Sequence, residues 1–118
     1  MNTFESKEIG KIGENIAKEY LIKLGYHVLT QNYHQRGAEI DLICKKSHTL
    51  HFIEVKTRSS QNFGTPEEGF HRQQLYRIKK AAQKFLSENK MAFMNLQFDL
   101  LAIELEQQKA KIKFYQNL

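Results

Sequence analysis

Apolar residues recur at helical spacing over residues 6–24, which predicts an amphipathic first helix. Ser6 is a good residue to begin this helix, and Gly25 is a natural place for it to end. The apolar positions are Ile9, Ile12, Ile16, Tyr20 and Leu24. Small residues lie on one side, namely Gly10, Gly13 and Ala17. That side is therefore thin enough for another backbone to approach it closely.

A second helix is predicted from Thr65 to about Ser87. Thr65 can cap this helix, Pro66 suits its first position, and Glu68 takes the capping-box position. The predicted buried stripe is Leu75, Ile78, Ala82, Phe85 and Leu86. The exterior is basic, with Arg72, Arg77, Lys79, Lys80 and Lys84. Such a surface is compatible with plain solvation and with contact to a phosphate backbone.

Alternating apolar and polar positions predict strands at residues 26–33, 39–44, 50–56, 96–105 and 111–115. The order is therefore helix, three strands, helix and two strands. Strands on either side of the second helix can be parallel, because a helix supplies the crossover that parallel strands need. We therefore predict an α/β fold with a mixed central sheet flanked by helices. A polar loop at residues 57–65 is long enough to suggest a functional role.

Composition favours one globular domain over residues 1–118. Hydrophobic residues make up 41% of the 118 residues, so the chain can build its own core. No apolar stretch approaches the ~20 residues of a membrane span, and the start lacks a signal-peptide core. We therefore expect a cytoplasmic protein with no membrane partner. The single Cys44 excludes an intrachain disulfide and suits a buried strand position, and the net charge of +5 is compatible with a polyanionic partner.

Candidate chemistry centres on the strand at residues 50–56, where alternation places Glu54 and Lys56 on one face. If this strand forms a hairpin about residues 47–48, the numbers of opposed residues sum to 95. Asp41 then lies across from Glu54, and Glu39 across from Lys56. Two opposed carboxylates repel unless a cation lies between them. A metal ion is the obvious cation, and a lysine beside it suggests phosphodiester cleavage.

The short pattern Glu-x-Lys is not specific by itself, because the chain contains it at residues 5–7, 54–56 and 88–90. Only the middle copy lies in an apolar, β-branched run. For this copy, an exposed hairpin with a Glu39–Lys56 pair would leave the Asp41–Glu54 repulsion unexplained. Glu14 lies at the margin of the buried face of the first helix. That position suits an acid facing a cleft as well as a solvated charge.

Several segments resemble a known superfamily, and they run through most of the chain. They are Gly10–Ala17, Arg36–Ile43, Phe52–Arg58, Phe63–Glu68 and Phe98–Ile103. These segments resemble the PD-(D/E)xK restriction-endonuclease-like superfamily and, within it, the YraN-type uncharacterised bacterial family. The resemblance implies a restriction-endonuclease-like αβββαβ core. It also implies that Holliday-junction resolvases are comparatively near structural relatives.

The resemblance further implies roles for individual residues. It places Asp41, Glu54 and Lys56 at the signature positions of the superfamily, and Glu14 at the position of an additional helix acid. The implied cofactor is Mg²⁺ or Mn²⁺, held by Asp41, Glu54 and the backbone carbonyl of Val55. Lys56 would position or deprotonate the attacking water, and Glu14 would help to hold a water or a second ion.

Other polar residues near these segments are candidates for substrate contact. The residues predicted to bind the substrate are Arg36, Arg58 and Gln74. We expect Glu39 to pair with Lys56 or Arg58 rather than to act in catalysis.

The leading hypothesis is a Mg²⁺-dependent endonuclease acting on DNA, in branched or otherwise structured form. The alternative is a catalytically silent nucleic-acid-binding or partner-binding module on a nuclease scaffold. An RNA-processing role would use the same site, although we favour DNA over RNA. Junction-cleaving enzymes with this fold commonly act as symmetric dimers, so the resemblance allows a homodimer, but no residue pattern marks an interface.

Overall fold

The secondary structure follows the predicted order. The computed structural model describes residues 6–59, 70–90, 95–107 and 109–118. Within these ranges the elements are α1 (Ser6–Lys23), β1 (His27–Gln35), β2 (Ala38–Lys46), β3 (Thr49–Arg58), α2 (Arg72–Asn89), β4 (Asn95–Glu106) and β5 (Lys109–Tyr115). The predicted α/β class is confirmed, and the arrangement is compatible with a restriction-endonuclease-like core.

The described strands form one sheet in the order β1-β2-β3-β4-β5. Strands β3 and β4 are parallel, whereas every other neighbouring pair is antiparallel. Helix α2 lies between β3 and β4 in the sequence and supplies the crossover that a parallel pair requires. The mixed sheet is therefore a consequence of where this helix lies along the chain.

The two helices cover opposite faces of the sheet, as strand alternation shows on β2. Cys44 packs in the core beneath α1, together with Ala17 and Leu21. Its neighbour Ile43 packs in the core beneath α2, together with Phe85. Consecutive residues of a strand point to opposite faces, so each helix has its own hydrophobic core.

The predicted buried stripe of α1 is partly wrong. Ala17 and Leu21 are fully buried, whereas Leu24 lies beyond the end of the helix and is 42% exposed. The remaining apolar residues of the predicted stripe are only half-buried, so the thin side faces the sheet, as the small residues predicted. At Gly13, an added Cβ would overlap the Thr57 side chain on β3. Close approach of the helix to β3 therefore decides its rotation, rather than the largest apolar side chains.

The predicted start of α2 differs from the structure. Phe70 and His71 are not helical, and the helix begins at Arg72. The backbone N–H of His71 donates a hydrogen bond to Gln74 Oε1 at 3.0 Å, which satisfies a donor at the helix start. The predicted cap at residues 65–68 lies outside the described residues. The buried stripe agrees largely with the prediction and comprises Ile78, Ala81, Ala82 and Phe85.

A buried polar pair fastens the end of the chain to the sheet. His51 Nδ1 donates to Asp99 Oδ2 at 2.8 Å, and both side chains are almost fully buried. The backbone N–H of Asn117 donates to the other oxygen of Asp99 at 3.0 Å. Cys44 lies opposite His51 on β2, and burial raises the pKa of its thiol to about 12. Cys44 is therefore a core residue, as predicted, and not a nucleophile.

No helix within the described ranges is both long and apolar enough to cross a membrane.

The contact between α1 and β3 can be tested with two glycine substitutions in one helix. We expect Gly13→Ala to destabilise the protein by about 1–3 kcal/mol, because the new methyl group overlaps Thr57. Gly10→Ala is the matched control, since an added Cβ there meets no atom within 4 Å. It should stabilise the helix by up to about 1 kcal/mol. Urea denaturation measures both changes, and a Gly13→Ala variant as stable as wild type would contradict the packing described.

Candidate active site

The hairpin of β2 and β3 has the predicted register. The pairs Leu42–Ile53, Ile43–Phe52 and Cys44–His51 are opposed, and each pair sums to 95. The turn lies at Ser47, which has a left-handed backbone with φ of 55°. The ladder ends at Leu42–Ile53, so Asp41 and Glu54 are the first residues beyond the last pair. The two carboxylates thus flank the point where β2 separates from β3.

Asp41 fills the gap that this separation leaves. The backbone N–H of Val55 donates to Asp41 Oδ2 at 2.7 Å. A continued ladder would place Ile40 opposite Val55, so the carboxylate takes a hydrogen bond that a backbone carbonyl would otherwise accept. The pleat is also irregular here, because Ile40 and Ile43 pack in the same core. Strict alternation would place these two residues on opposite faces.

Strand β1 has an irregularity of its own at Asn32, which was not predicted. Asn32 has a left-handed backbone with φ of 50° and is skipped in the β1–β2 register between Gln31–Leu42 and Tyr33–Ile40. Its side chain hydrogen-bonds to Glu14 of α1. Asparagine is depleted in strands and tolerates a left-handed backbone. Its occurrence inside a predicted strand could therefore have indicated an irregularity at this position.

Glu14 belongs electrostatically to the site. Its pKa is raised, first by burial and then by the negative charges of Asp41 and Glu39. The hydrogen bond from Asn32 acts in the opposite direction and favours the charged form. Glu14 is therefore a third acid that feels the charge of Asp41. Its side chain is oriented by the hydrogen bond from Asn32 of β1.

The pKa of Asp41 is raised to about 8. Burial is the largest cause, followed by a hydrogen bond with Glu54 and by the negative charge of Glu54. The Val55 N–H and the Lys56 ammonium lower this pKa without offsetting the other causes. Lys56 Nζ lies 3.9 Å from Glu54 Oε2. Without a metal ion, Asp41 therefore keeps a proton at neutral pH, in the position where a cation would relieve the repulsion.

Asp41, Glu54 and Lys56 open into a groove of about 300 Å³ between the sheet and α2. Glu14 is not among the described residues that line it. The sheet contributes Asp41, Glu54, Val55 and Lys56, and α2 contributes Gln74 and Arg77. The groove therefore has carboxylates on its sheet side and a guanidinium group and an amide on its helix side. Such a pairing suits an anionic group that is bound together with a cation.

Residues 13–103 match the sequence profile of the Uncharacterised protein family UPF0102. A UPF0102 protein of Syntrophomonas wolfei is 41% identical over 107 residues, which cover 91% of this chain and 93% of that protein. This chain belongs to the UPF0102 family. A UPF0102 protein of Alkaliphilus oremlandii is 40% identical over 114 residues, covering 95% and 97% of the two chains. The predicted YraN-type family is thereby confirmed.

The UPF0102 match covers the site residues of all four elements, α1, β2, β3 and α2, from Glu14 to Arg77. Arg77 was predicted only as part of the basic exterior of the helix. Its signal was its position three residues after Gln74, which places the two side chains on neighbouring parts of one helix face.

Two of the predicted substrate contacts of this UPF0102 protein lie away from the groove. Arg36 is exposed in the turn between β1 and β2, and Arg58 is exposed at the end of β3. Neither is among the described residues that line the groove. Gln74 does line it. A role for either arginine therefore requires a substrate that extends beyond the groove.

The expected partner of Glu39 is corrected by the structure. Glu39 Oε1 lies 3.6 Å from His34 Nε2, and these two residues are opposed in the β1–β2 ladder. The ion pair of Lys56 is instead with Glu54. The reason is that β2 is separated from β3 in the residues before Leu42, which removes Glu39 from the position opposite Lys56.

The Glu-x-Lys pattern at residues 88–90 lies outside this site. Glu88 is at the end of α2 and accepts a hydrogen bond from the Tyr33 hydroxyl at 2.5 Å. Glu5 is outside the described residues. Helical surroundings thus separate Glu88 and Lys90 from the strand geometry that brings Glu54 and Lys56 to one face.

The donor groups in this UPF0102 site fit Mg²⁺ or Mn²⁺. Within the described residues, no three His, Cys, Asp or Glu side chains form a group that could hold a metal ion. Asp41 and Glu54 nevertheless offer two carboxylates, and Val55 has its carbonyl on the same strand edge as its N–H. Mg²⁺ is commonly bound through one or two carboxylates and keeps several waters. Asp41, Glu54 and Val55 therefore fit a hydrated hard cation better than zinc.

The raised pKa of Asp41 predicts a pH dependence of stability in metal-free buffer. Asp41 is protonated in both states below about pH 4, and between about pH 4 and 8 only the folded protein retains the proton. Its contribution to stability is therefore lost as pH rises through this window. The slope from one group cannot exceed about 1.4 kcal/mol per pH unit. Asp41→Asn should remove this slope.

The measurement is urea denaturation from pH 5 to pH 8 in the presence of a chelator. Glu19→Gln, an exposed substitution on α1, serves as the matched control and should follow the wild-type profile. Parallel profiles for wild type and Asp41→Asn would show that Asp41 is not the buried, proton-binding carboxyl described here.

Proposed function

We propose that this UPF0102 protein is a metal-dependent nuclease that hydrolyses phosphodiester bonds in DNA, with branched or structured DNA as its substrate. The observation that carries the proposal is the convergence of Asp41, Glu54 and Lys56 in one groove. Two acids and a cation in one groove would be able to act together on one phosphate. The formal charge of +5 supports a polyanionic substrate.

Hydrolysis of a phosphodiester builds negative charge on the non-bridging oxygens and on the leaving oxygen. Asp41, Glu54 and the Val55 carbonyl would hold Mg²⁺ or Mn²⁺ beside the scissile phosphate. When bound, such an ion supplies positive charge against those oxygens and promotes activation of water. The remaining tasks are binding the phosphate and orienting the water, and these fall to side chains of this chain.

The ammonium group of Lys56 is suited to binding both the attacking water and the phosphate. Its ammonium group lies on the same face as Glu54, at 3.9 Å from Glu54 Oε2, and is only partly exposed. In this position it can donate one hydrogen bond to the attacking water and another to a non-bridging oxygen. Glu54 keeps the side chain of Lys56 directed toward the carboxylates rather than toward bulk solvent.

Helix α2 would hold the phosphate from the opposite wall of the groove. Arg77 offers a planar fork of donors that matches two phosphate oxygens. Gln74 has its amide oxygen engaged by the His71 N–H. Its amide nitrogen is thereby left as the group that can donate to substrate. The cap of α2 thus also fixes the orientation of a substrate-binding side chain.

The proposal predicts Mg²⁺- or Mn²⁺-dependent cleavage of at least one of four DNA substrates: linear, nicked, flapped and four-way. Asp41→Asn and Lys56→Ala should each reduce the rate by about a hundredfold or more, as expected for loss of a group that stabilises transition-state charge. Lys7→Ala is the matched control, because it changes an exposed lysine in another Glu-x-Lys pattern and should leave the rate unchanged.

Gel assays with purified protein measure these rates, and the same four structures made of RNA test the choice of nucleic acid. Absence of cleavage of every DNA substrate with both metals would contradict the proposal. Wild-type activity in Asp41→Asn would contradict the assignment of the site even if DNA were cleaved.

A catalytically silent nucleic-acid-binding module remains the second candidate, and one observation favours it. Four exposed basic residues of α2 are not among the described residues that line the groove, and they are Arg72, Lys79, Lys80 and Lys84. This candidate predicts salt-sensitive binding of DNA that survives Glu54→Gln, together with no cleavage by the wild-type protein. Each phosphate contact to duplex DNA would contribute about 0.9 to the slope of log K against log salt concentration.

A further inference from the structure

The positive charge of this protein is concentrated on one helix. Helix α2 contains five basic residues and one acidic residue, so it carries a net +4 of the formal +5 of the whole chain. The five basic residues are all exposed, and they are Arg72, Arg77, Lys79, Lys80 and Lys84. Strand β5 carries a net +3, but its neighbour β4 carries −3, so the unbalanced excess lies on α2. Such an excess suits a polyanionic partner.

Tyr76 lies in the middle of this basic surface. It is 61% exposed, more than any other large hydrophobic side chain among the described residues. Lys80, one turn later, places its Nζ 5.1 Å from the centre of the Tyr76 ring. The cation–π contact limits the motion of the ring and keeps a positive charge beside it. An exposed aromatic ring is thus held among cations instead of packing into either core.

The basic surface is continuous with the proposed active site. Arg77 lines the groove, and Lys80 and Lys84 follow it at intervals of three and four residues along the same side of α2. Lys79, in contrast, lies over the ring of Phe98 on β4, at 5.5 Å from its centre. The rise from Arg77 to Lys84 is about 10 Å, which matches about three stacked nucleotides of one strand.

We propose that Tyr76, Arg77, Lys80 and Lys84 form a track that binds a single-stranded DNA segment leaving the groove, with the Tyr76 ring stacked on one of its bases. The proposal rests on the proposed nuclease function, because the groove must hold the phosphate from which the strand departs. It narrows the substrate class to DNA in which an unpaired strand adjoins a duplex, as in a flap or a fork.

The choice of a single strand follows from the exposed ring. In a continuous duplex the faces of the bases are stacked on one another, and an aromatic side chain on a helix surface finds no base to cover. A single strand presents those faces, and stacking on protein aromatic rings beside a basic groove is the usual way to bind it. The lysines alone would fit any polyanion, whereas Tyr76 among them favours an unpaired strand.

The test is fluorescence anisotropy with a labelled forked DNA and a blunt duplex of the same length, in a chelator so that no cleavage occurs. Tyr76→Ala should weaken binding of the fork at least about fivefold, the lower end of the effect expected for one stacked base. It should change binding of the blunt duplex less than twofold. Tyr76→Phe keeps the ring and should bind the fork within twofold of wild type.

A charge-matched pair of double variants tests the track itself. Lys80→Ala with Lys84→Ala should lower the slope of log K against log salt concentration by about 1.4 on the single-stranded arm, about 0.7 for each lost contact. Lys11→Ala with Lys23→Ala removes the same charge from exposed positions on α1 and should change the slope little. Circular dichroism checks that all variants remain folded, as expected for exposed positions.

The inference is overturned if Tyr76→Ala binds the fork as tightly as wild type, if fork and blunt duplex lose affinity equally, or if Tyr76→Phe is as weak as Tyr76→Ala. Tighter binding of a forked RNA of the same sequence would overturn the choice of DNA. Since binding is measured without metal, its outcome is separate from that of the nuclease assay. Wild type that binds the fork through Tyr76 but cleaves nothing would refute the nuclease proposal alone.

Discussion

The site depends on one hydrogen bond, from the Val55 N–H to the Asp41 carboxylate. It forms where β2 leaves β3, and it holds Asp41 beside Glu54 at a place where two negative charges are unfavourable. The pKa of Asp41 is raised mainly by burial and further by Glu54. A proton relieves the repulsion in the metal-free protein, and a bound cation would do so in its place. The separation of the two strands thus brings Asp41 beside Glu54. It would also leave space for the proton or cation that neutralises their charge.

Packing on the other face of the sheet supports this arrangement. Gly13 lets α1 lie directly against Thr57, two residues beyond Val55 on β3. The neighbouring Glu14 is thereby brought within the field of Asp41, and Asn32 holds it through a left-handed position in β1. Helix α2 completes the site from the opposite face with Gln74 and Arg77. The acids therefore come from the sheet and α1, the Lys56 ammonium group comes from β3, and a guanidinium group and an amide come from α2.

Much of this could be predicted because it depends on local pattern. Alternation and a turn at residues 47–48 were enough to fix the β2–β3 register, and Gly25 marked the end of α1. The separation of β2 from β3 just before Leu42 could not be predicted, since it arises from competition between a backbone carbonyl and a side chain for one N–H. The contact of Glu39 with His34 and the hydrogen bond of Asn32 with Glu14 were missed because they depend on neighbouring elements, β1 and α1. The small residues of α1 correctly predicted a close approach at Gly13, whereas full burial of Ala17 and Leu21 in preference to the larger apolar residues was missed.

The central claim is that Asp41 and Glu54 together form a binding site for a divalent metal ion. Isothermal titration of Mn²⁺ into wild type and Asp41→Asn at neutral pH tests it most directly, with Glu19→Gln as a charge-matched control on exposed α1. The structure predicts saturable binding by wild type and by the control, and its loss in Asp41→Asn. Equal binding of Mn²⁺ by wild type and Asp41→Asn would contradict the account.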